Sequence, residues 1–314
     1  MANTPVVVLD DTLTNIANAI RGKNGSSDKY KPGQMAGAID NIPAGGIGIP
    51  REVSNGVYQR PEITSFSLPS NATDIGQYAL AYAFDSYPNL TSVDLSTLTT
   101  VSGSSALASA FDRCTALTSV DLSSLATVSG EGAFSSTFSR CNKLTSVNLG
   151  SLTTVNAQQV FYNAFYNCKS LTSVDIGSLT TVSGNSAFGY AFNNCDKLTS
   201  VDLSSLTTVS GNGAFSNAFS SCTAITSVEF SSLTTISGSQ ALYSAFSNCH
   251  KLTSLSFPAL TVDSFGSAVN QFENMLSRDT GCTVHFPAAV QAKIETMTGY
   301  PNFGGTNTTV LFDL

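Results

Sequence analysis

A single pattern of apolar and polar residues repeats along most of the chain. Each copy opens with an apolar residue, followed by a Thr-Ser pair, a second apolar residue and, in all but the copy at Leu252, an acidic or amide residue, as in LTSVDL. Neighbouring copies are 27 residues apart, and they open at Leu90, Leu117, Leu144, Leu171, Leu198, Ile225 and Leu252. A degenerate copy, ITSFSL, begins at Ile63, and a last strand-like piece, GCTVHF, begins at Gly281. A fixed period of this length predicts a solenoid of stacked coils.

Within one copy, the inward positions follow a short strand and then a bend. Val201 and Leu203 alternate with polar residues, which places both on one face of a strand, and the Thr and β-branched residues around them favour an extended backbone. Leu206 and Val209 continue the inward stripe after the bend, and Gly211 supplies a turn. Stacked copies are therefore expected to place their strands side by side in a parallel sheet.

The second half of each copy, with sequences such as AFSNAFSSC, predicts a short helix. Ala214, Ala218 and Cys222 recur every four residues, as do Phe215 and Phe219, which favours one buried helical face. We therefore expect an α/β solenoid of leucine-rich-repeat type, with 27-residue coils and a parallel sheet on one face. One phenylalanine per copy should form a continuous ladder in the core: Phe84, Phe111, Phe138, Phe165, Phe192, Phe219 and Phe246.

Residues 1–45 differ from the repeats and predict a small N-terminal pair of helices. Leu13, Ile16 and Ile20 mark one face of the first helix, and Met35 and Ile39 mark one face of the second. Two short helices bury little apolar surface by themselves. We therefore expect these five residues to attach the chain to a partner or to a second copy.

The rest of the chain is expected to form three further parts. The stretch PAGGIGIP favours a flexible joint. Pro287 opens a helix-like segment, and the final stretch, TTVLFDL, has the character of a strand that covers the last coil. The expected boundaries are a joint and N-terminal cap in residues 46–62, the solenoid in 63–286, and a C-terminal cap in 287–314.

Composition limits the classes of partner. Charged residues are 11% of the chain, against roughly 25% in an average soluble protein, and the formal net charge is −7. Nucleic acid is not an expected partner, because its binding depends on Lys and Arg. No apolar run approaches the roughly 20 residues of a membrane helix, so we expect no membrane insertion. The start, MANTPVVVLDD, lacks the basic region of a secretory signal, so we expect a chain made in the cytosol and not exported by the general route.

Six of the seven cysteines recur once per copy, at Cys114, Cys141, Cys168, Cys195, Cys222 and Cys249. Their spacing has no Cys-x-x-Cys pair, which argues against a zinc site. Spacing alone leaves disulfides between neighbouring coils open, although a cytosolic chain argues against them. We expect buried free thiols that behave as small hydrophobic side chains, with no metal and no cofactor.

A row of acidic and amide residues accompanies the Thr and Ser residues of the strands: Asp94, Asp121, Asn148, Asp175, Asp202 and Glu229. Strands lie about 4.8 Å apart, so Asp94 and Asp121 should be neighbours, as should Asp202 and Glu229. Retaining glycosidases use carboxylates at similar distances, but such a pair needs two different environments, and these positions are alike. We favour a solvated polar face used for binding over a weak divalent-cation row and over a catalytic pair.

The repeat resembles the BspA-type bacterial leucine-rich repeats. The resemblance rests on the LTSVDL strands and the AFxxAFxxC segments, from about Ile63 to Phe286. It implies a surface adhesin that binds host or matrix components. We expect a departure from that pattern, with neither a secretion signal nor a wall anchor beside the repeats.

The stretch LTNIANAIRGKNGSSDKYKPGQMAGAIDNI is similar to a motif near the start of bacteriophage tail and virion-associated proteins. That motif has the form L-x-x-I-A-x-A-I-R-x-K-x-G, followed by P-x-x-M-A-x-x-I. The resemblance implies attachment to other virion proteins. A virion protein is made in the cytosol and released by lysis, which agrees with the expected absence of export.

These patterns lead to one main hypothesis and two alternatives. We predict a bacteriophage virion structural protein, at a tail fibre, tail tip or capsid surface, that binds a host-surface glycan or protein through its repeat face. The N-terminal helices would bind other virion proteins or a further copy of the chain. The first alternative is a BspA-like surface adhesin or interaction protein of bacterial or prophage origin. The second is an enzyme acting on surface polysaccharide, although the sequence provides no candidate catalytic residue.

Overall fold

The structure is a computed structural model of the chain. It describes residues 63–68, 70–279 and 281–314, together with the backbone of three short strands before residue 63. The two predicted N-terminal helices, with Leu13, Ile16, Ile20, Met35 and Ile39, lie outside the described residues.

Short strands dominate the described part of the chain. In chain order they are β1 (Val7–Val8), β2 (Glu52–Ser54), β3 (Val57–Gln59), β4 (Ser65–Ser67), β5 (Ser92–Asp94), β6 (Thr100–Val101), β7 (Ser119–Asp121), β8 (Thr127–Val128), β9 (Ser146–Asn148), β10 (Thr154–Val155), β11 (Ser173–Asp175), β12 (Thr181–Val182), β13 (Ser200–Val201), β14 (Thr208–Val209), β15 (Ser227–Glu229), β16 (Thr235–Ile236), β17 (Ser254–Ser256), β18 (Thr283–Phe286) and β19 (Thr309–Phe312).

The predicted solenoid and its parallel sheet are confirmed. Strands β1, β4, β5, β7, β9, β11 and β13 form one sheet, and β15, β17, β18 and β19 form another, with parallel pairing throughout. Pairing follows the repeat, since Val93 lies opposite Val120 and Val147 opposite Val174. Strands β2 and β3 form a separate antiparallel hairpin. Each coil thus adds one strand in the same register.

A second parallel sheet, which the sequence pattern did not predict, follows the first around each coil. Strands β6, β8, β10, β12, β14 and β16 build it, with two residues per strand. Its threonines and its inward valine or isoleucine stack in register, as Thr208 does on Thr235 and Val209 on Ile236. The inward role predicted for Val209 is therefore right, but the residue belongs to a strand rather than to a simple bend.

The prediction of a helix in each repeat is wrong. The AFSNAFSSC segment and its equivalents form ribbons of consecutive turns in which every fourth residue has a positive φ, such as 50° at Ser186, 55° at Tyr190 and 63° at Asn194. Left-handed residues at this spacing are incompatible with an α-helix. Backbone N–H groups alternate between two acceptors: Ala191 donates to Phe188 at 3.0 Å, and Phe192 donates to Ala218 of the next coil at 2.8 Å.

The four-residue period of Ala and Phe explains this error, because it is compatible with a helix and with a turn ribbon. In the ribbon, every second N–H finds a carbonyl in the next coil, so stacking satisfies the backbone. The fold is therefore a β-solenoid and not an α/β solenoid. Within the described residues, the α-helical structure is limited to α1 (Gln291–Ile294), which follows a 3₁₀ turn at Ala288–Val290 near the C-terminus. No helix in this part of the chain is long and apolar enough to cross a membrane.

The predicted phenylalanine ladder is confirmed. The rings from Phe84 to Phe246 are buried, and neighbouring centroids from one coil to the next lie 5.3–5.5 Å apart in stacked pairs. A second stack runs beside it through Phe134, Phe161, Phe188 and Phe215, with centroids 5.0–5.2 Å apart. These stacks fill the core behind the turn ribbons, so each coil depends on its neighbours for burial.

All seven cysteines are buried and none forms a disulfide, as predicted for the six that recur once per copy, which we call the ribbon cysteines. Their thiols also have a role that the sequence did not suggest. Each ribbon cysteine donates a hydrogen bond to a phenylalanine carbonyl of the preceding coil, as Cys168 does to Phe138 at 3.2 Å. The thiols thus join neighbouring coils without forming disulfides.

Candidate binding face

The outward side of the first sheet presents two parallel rows of polar side chains. Strands β7, β9 and β11 have the same pattern, in which serine is exposed, valine is buried and the last residue is exposed. Successive strand residues point to opposite sides of a sheet. The serines therefore form one row and the acidic or amide residues a second row, with the buried valines between them.

The predicted acidic row is formed over most of its length. Asp94 lies directly opposite Asp121, Asp121 opposite Asn148, and Asn148 opposite Asp175. The predicted neighbours Asp202 and Glu229 are not paired in this way, because β13 ends at Val201 and does not pair with β15. The role of the row in binding stays a prediction.

The carboxylates of the row are bound to the turns that follow their own strands. Asp121 Oδ1 accepts hydrogen bonds from the backbone N–H of Ser123 at 3.0 Å and from its hydroxyl at 2.7 Å. Equivalent backbone bonds from the residue two positions later are made to the side chains of Asp94, Asn148, Asp175 and Asp202. This is an Asx turn repeated along the solenoid, so one side-chain oxygen of each of these five residues is already used.

Hydrogen bonding also shifts the pKa of one carboxyl in the row. The side chain and the backbone N–H of Ser204 donate to Asp202 and lower the pKa of its carboxyl. These bonds stabilise the charged form. Asp202 is therefore held as an anion that accepts hydrogen bonds, which suits recognition of a donor and does not suit a general acid.

Hydroxyl groups on this face divide into two sets. Five of the seven threonines that precede the serines donate their hydroxyl to the threonine carbonyl of the preceding coil, as Thr118 does to Thr91 at 3.0 Å and Thr172 to Thr145 at 3.0 Å. By contrast, the side-chain hydroxyls of the exposed serines in the row have no hydrogen-bond partner among the described residues: Ser119, Ser146, Ser173, Ser200 and Ser227. The groups left for a partner are thus the serine hydroxyls and the second carboxylate oxygens.

A shallow groove of about 480 Å³ lies on this face where the sheet is interrupted. Strand β13 ends one sheet and β15 begins the next, whereas the second sheet continues without a break from β14 to β16. The polar lining of the groove consists of Asp175, Ser200, Asp202, Ser204, Ser227 and Glu229. The break falls where the inward residue after the row changes from Leu203 to Phe230. The groove therefore brings three row carboxylates together with unpaired serine hydroxyls.

The face has no arrangement that indicates a metal centre. In the part of the chain that the structure describes, no group of three or more His, Cys, Asp or Glu side chains is placed to hold a metal ion. The row residues share one structural role, since five of them cap the turn after their strand. The geometry can therefore provide an extended array of hydrogen-bond donors and acceptors.

Two signals in the sequence could have identified these features. The serine and the acidic residue in SVD are separated by one residue, which places both on the outward side of a strand. The serine or glycine two positions after each acidic residue, as Ser123 follows Asp121 and Gly150 follows Asn148, is the pattern of an Asx turn. The groove has no such signal, because the strand sequences on its two sides are nearly identical.

A comparison with models of protein families agrees with the repeat architecture of the solenoid. The family described as "BspA type Leucine rich repeat region (6 copies)" matches residues 51–190 and 135–217. The chain belongs to this family of leucine-rich-repeat proteins. A comparison with curated proteins gave no significant match.

Several solved structures align with most of the chain at low similarity. A leucine rich cell surface protein from Faecalibacterium prausnitzii A2-165 is 17% identical, with 83% of this chain and 86% of that chain covered and a TM-score of 0.30. A leucine-rich repeat protein from Eubacterium ventriosum is 17% identical, with 70% and 82% covered and a TM-score of 0.27. An internalin from Listeria monocytogenes is 14% identical, with 96% and 90% covered and a TM-score of 0.30. Similarity at this level supports no conclusion about function.

Proposed function

We propose that the protein is an interaction protein of the adhesin type, which holds another macromolecule against the sheet face made of the serine and acidic rows. One observation carries the proposal: the outward serines are exposed and their hydroxyls have no internal partner, although most of the threonine hydroxyls and row carboxylates do. Membership of the BspA-type family supports a surface interaction role. This proposal is the earlier alternative, and the family match favours it over the virion hypothesis.

The proposed mechanism is recognition at many weak contacts on a rigid surface. The serine hydroxyls can donate and accept, and the remaining carboxylate oxygens can accept from amide, hydroxyl or basic groups of a partner. Hydrogen bonds within each turn and between coils hold these groups in place, which reduces the entropy lost on binding. Shallow contacts of this kind gain most from several copies of the chain acting together.

The test uses the full chain, attached in many copies to beads and exposed to a panel of purified extracellular-matrix proteins, to mucin and to fixed cells. The double variant Ser173→Arg/Ser200→Arg places two large side chains on the serine row at the edge of the groove. We expect bead capture to fall at least about tenfold, which corresponds to the loss of one strong contact. The proposal would be contradicted if the double variant captured every probe at the wild-type level. It would also be contradicted if the wild-type chain captured none of the probes.

Ser135→Arg is the matched control, because Ser135 is half-buried on a turn ribbon, away from the sheet face. This control should keep wild-type capture. Thermal unfolding followed by circular dichroism shows whether each variant remains folded, so loss of binding can be separated from loss of structure.

A role in a virion is the second candidate, and it rests on the N-terminal motif that includes Ile16, Ile20, Met35 and Ile39. These residues would attach the chain to other virion proteins, and a virion would be its location. Mass spectrometry of purified phage particles and of the cell-envelope fraction from the source culture tests this. A fixed copy number relative to the major capsid protein would support the virion role. Recovery from the envelope alone would exclude it and leave the adhesin proposal.

A further inference from the structure

Four successive turn ribbons form a surface without any charged residue. The ribbons of residues 156–167, 183–194, 210–221 and 237–248 have no Asp, Glu, Lys, Arg or His. The ribbon before them has Glu131 and Arg140, and the segment after them has Glu273 and Arg278. We name the outward side of these four ribbons the tyrosine face, after Tyr162, Tyr166, Tyr190 and Tyr243. It lies on a different side of the coil from the sheet face.

Two tyrosines of this face, Tyr162 and Tyr190, contact each other across neighbouring coils. The rings of Tyr162 and Tyr190 meet edge to face, with centroids 5.8 Å apart. Gly189 makes this possible, since a Cβ at that position would be 2.9 Å from the Tyr162 ring. Burial raises the pKa of Tyr190, and interactions with Tyr162 and then Tyr243 raise it further. At one border, the Arg140 guanidinium lies 5.4 Å from the centre of the Tyr166 ring.

Amide groups surround these rings. Asn163, Asn167 and Asn194 are half-buried, and their side chains have no hydrogen-bond partner among the described residues. In the following coils, Asn217 donates to Ser216 at 3.1 Å and Asn248 to Ser221 at 3.3 Å. Each unpaired amide offers both donors and acceptors. The face therefore combines amphipathic aromatic rings with neutral hydrogen-bonding groups.

We propose that the tyrosine face binds a neutral glycan chain that lies along the solenoid axis. Aromatic rings can stack on the C–H faces of sugars, and amides match sugar hydroxyls, whereas the absence of charge offers nothing to an anionic or cationic polymer. The repetition of the face also fits a polymer. Neutral polar groups return with each coil, with tyrosines in three of the four ribbons, at the 5.0–5.5 Å spacing of the phenylalanine rings beneath them. That spacing is comparable to the length of one hexose unit.

The test is binding of the full chain to defined polysaccharides by affinity electrophoresis and isothermal titration calorimetry. The neutral probes are soluble mannan, dextran, a maltooligosaccharide and a cellooligosaccharide, and the charged probes are heparin and polygalacturonate. We expect at least one neutral probe to bind with little dependence on salt. The double variant Tyr162→Ala/Tyr190→Ala should weaken that binding at least about tenfold, since it removes two aromatic contacts.

Tyr82→Ala is the matched control, because Tyr82 has a positive φ like Tyr190 and is exposed, but it lies in an early ribbon outside the tyrosine face. It should bind as the wild type does. Ser173→Arg/Ser200→Arg should also retain glycan binding, so failure of the sheet-face proposal and failure of this one give different results. The proposal is overturned if no neutral probe binds, if only charged probes bind, or if the double tyrosine variant binds as tightly as Tyr82→Ala.

Discussion

The thiol of Cys195 donates a hydrogen bond to the backbone carbonyl of Phe165 in the preceding coil, with 3.2 Å between Sγ and the oxygen. The same contact recurs at the other five ribbon cysteines, at 3.1–3.2 Å. Burial is the main cause that raises the pKa of Cys195 to about 12. These cysteines are therefore internal hydrogen-bond donors and are poor nucleophiles at neutral pH.

Thiol labelling tests this role. We expect the folded chain to react with Ellman's reagent far more slowly than the unfolded chain, because every thiol is buried. In guanidinium chloride all seven cysteines should react. Rapid reaction of several thiols in the folded protein would show that the ribbons open easily or that the thiols are placed differently.

Phe165→Ala should be strongly destabilising. The Phe165 ring is stacked between Phe138 at 5.5 Å and Phe192 at 5.3 Å, and it is fully buried. Removal of a buried phenylalanine ring usually costs about 3–5 kcal/mol of unfolding free energy. Phe165→Leu is the control and should cost less, because it leaves a smaller cavity. Urea titration measures both, and a loss below about 1 kcal/mol for the alanine variant would disagree with the assigned core.

Gly213 provides a test of the turn ribbon. Its φ is +58°, and a Cβ there would meet no atom closer than 3.6 Å, so a substitution is limited by backbone conformation and not by space. Gly213→Val should lose about 1–2 kcal/mol of stability, because a β-branched residue avoids left-handed backbone. Gly213→Asn should lose clearly less, since Asn tolerates that conformation. Equal losses in denaturant titration would argue for a helical ribbon.

The sequence was sufficient to predict the inward residues of the strands. Val201, Leu203, Leu206 and Val209 are all buried, because alternation on a strand and a fixed repeat are consequences of the chain alone. The acidic row followed from the same register, as the pairing of Asp94 with Asp121 shows. In this half of the coil, the alternation along a strand and the stacking of the coils favour the same inward residues. The repeat pattern therefore predicts both the strands and their register.

The ribbon and the groove could not be predicted in the same way. The backbone of Phe192 bonds to Ala218 in the next coil, and this partner is absent from any single repeat. Without it, a four-residue period of Ala and Phe favours a helix. The groove depends on a missing strand pair between Val201 and Val228 that the local sequences do not distinguish. The ribbon and the groove both depend on how neighbouring coils pack on one another.

Asp121 allows turn capping to be separated from ligand binding. Asp121→Asn should change the unfolding free energy by less than about 0.5 kcal/mol, because an amide oxygen can accept the same bonds, as Asn148 does from Gly150 at 2.9 Å. Asp121→Ala should cost about 0.5–1.5 kcal/mol, since it removes the acceptor. Thermal unfolding measures the two. If the Asn variant remains stable but loses capture in the bead assay, the negative charge contributes to binding.

Asp279 takes the place of a ribbon cysteine in the last turn segment. Its N–H donates to Leu276 at 2.9 Å, as the N–H of Cys249 donates to Phe246 at 3.3 Å. The side chain is 1% exposed, and neither carboxylate oxygen has a hydrogen-bond partner in the described part of the chain. Burial raises the pKa of its carboxyl to about 7, because the charged form loses its hydration.

We therefore expect stability to fall as pH rises towards 7. The carboxyl loses its proton near pH 3.8 in the unfolded chain and near 7 in the folded chain. Between these values the folded state binds more protons, so the unfolding free energy decreases with rising pH and levels off above about pH 7. At about 1.4 kcal/mol per pKa unit, the decrease from this group is at most about 4 kcal/mol. The other titratable groups that interact with it are Cys249 and Cys282, whose raised pKa values keep them neutral over this range.

Asp279→Cys should remove this pH dependence, because it restores the residue that the preceding ribbons have at this position. Urea titrations of the full chain at about pH 5 and about pH 8 measure the effect, and the variant should exceed the wild type in stability mainly at the higher pH. Asp263→Asn is the control, since it removes an exposed carboxylate from the same region and should retain the wild-type difference between the two pH values. A wild type with equal stability at both pH values would show that the carboxyl is already ionised at about pH 5 in the folded state, so that burial does not raise its pKa. An Asp279→Cys variant with the wild-type slope would assign the pH dependence to other groups.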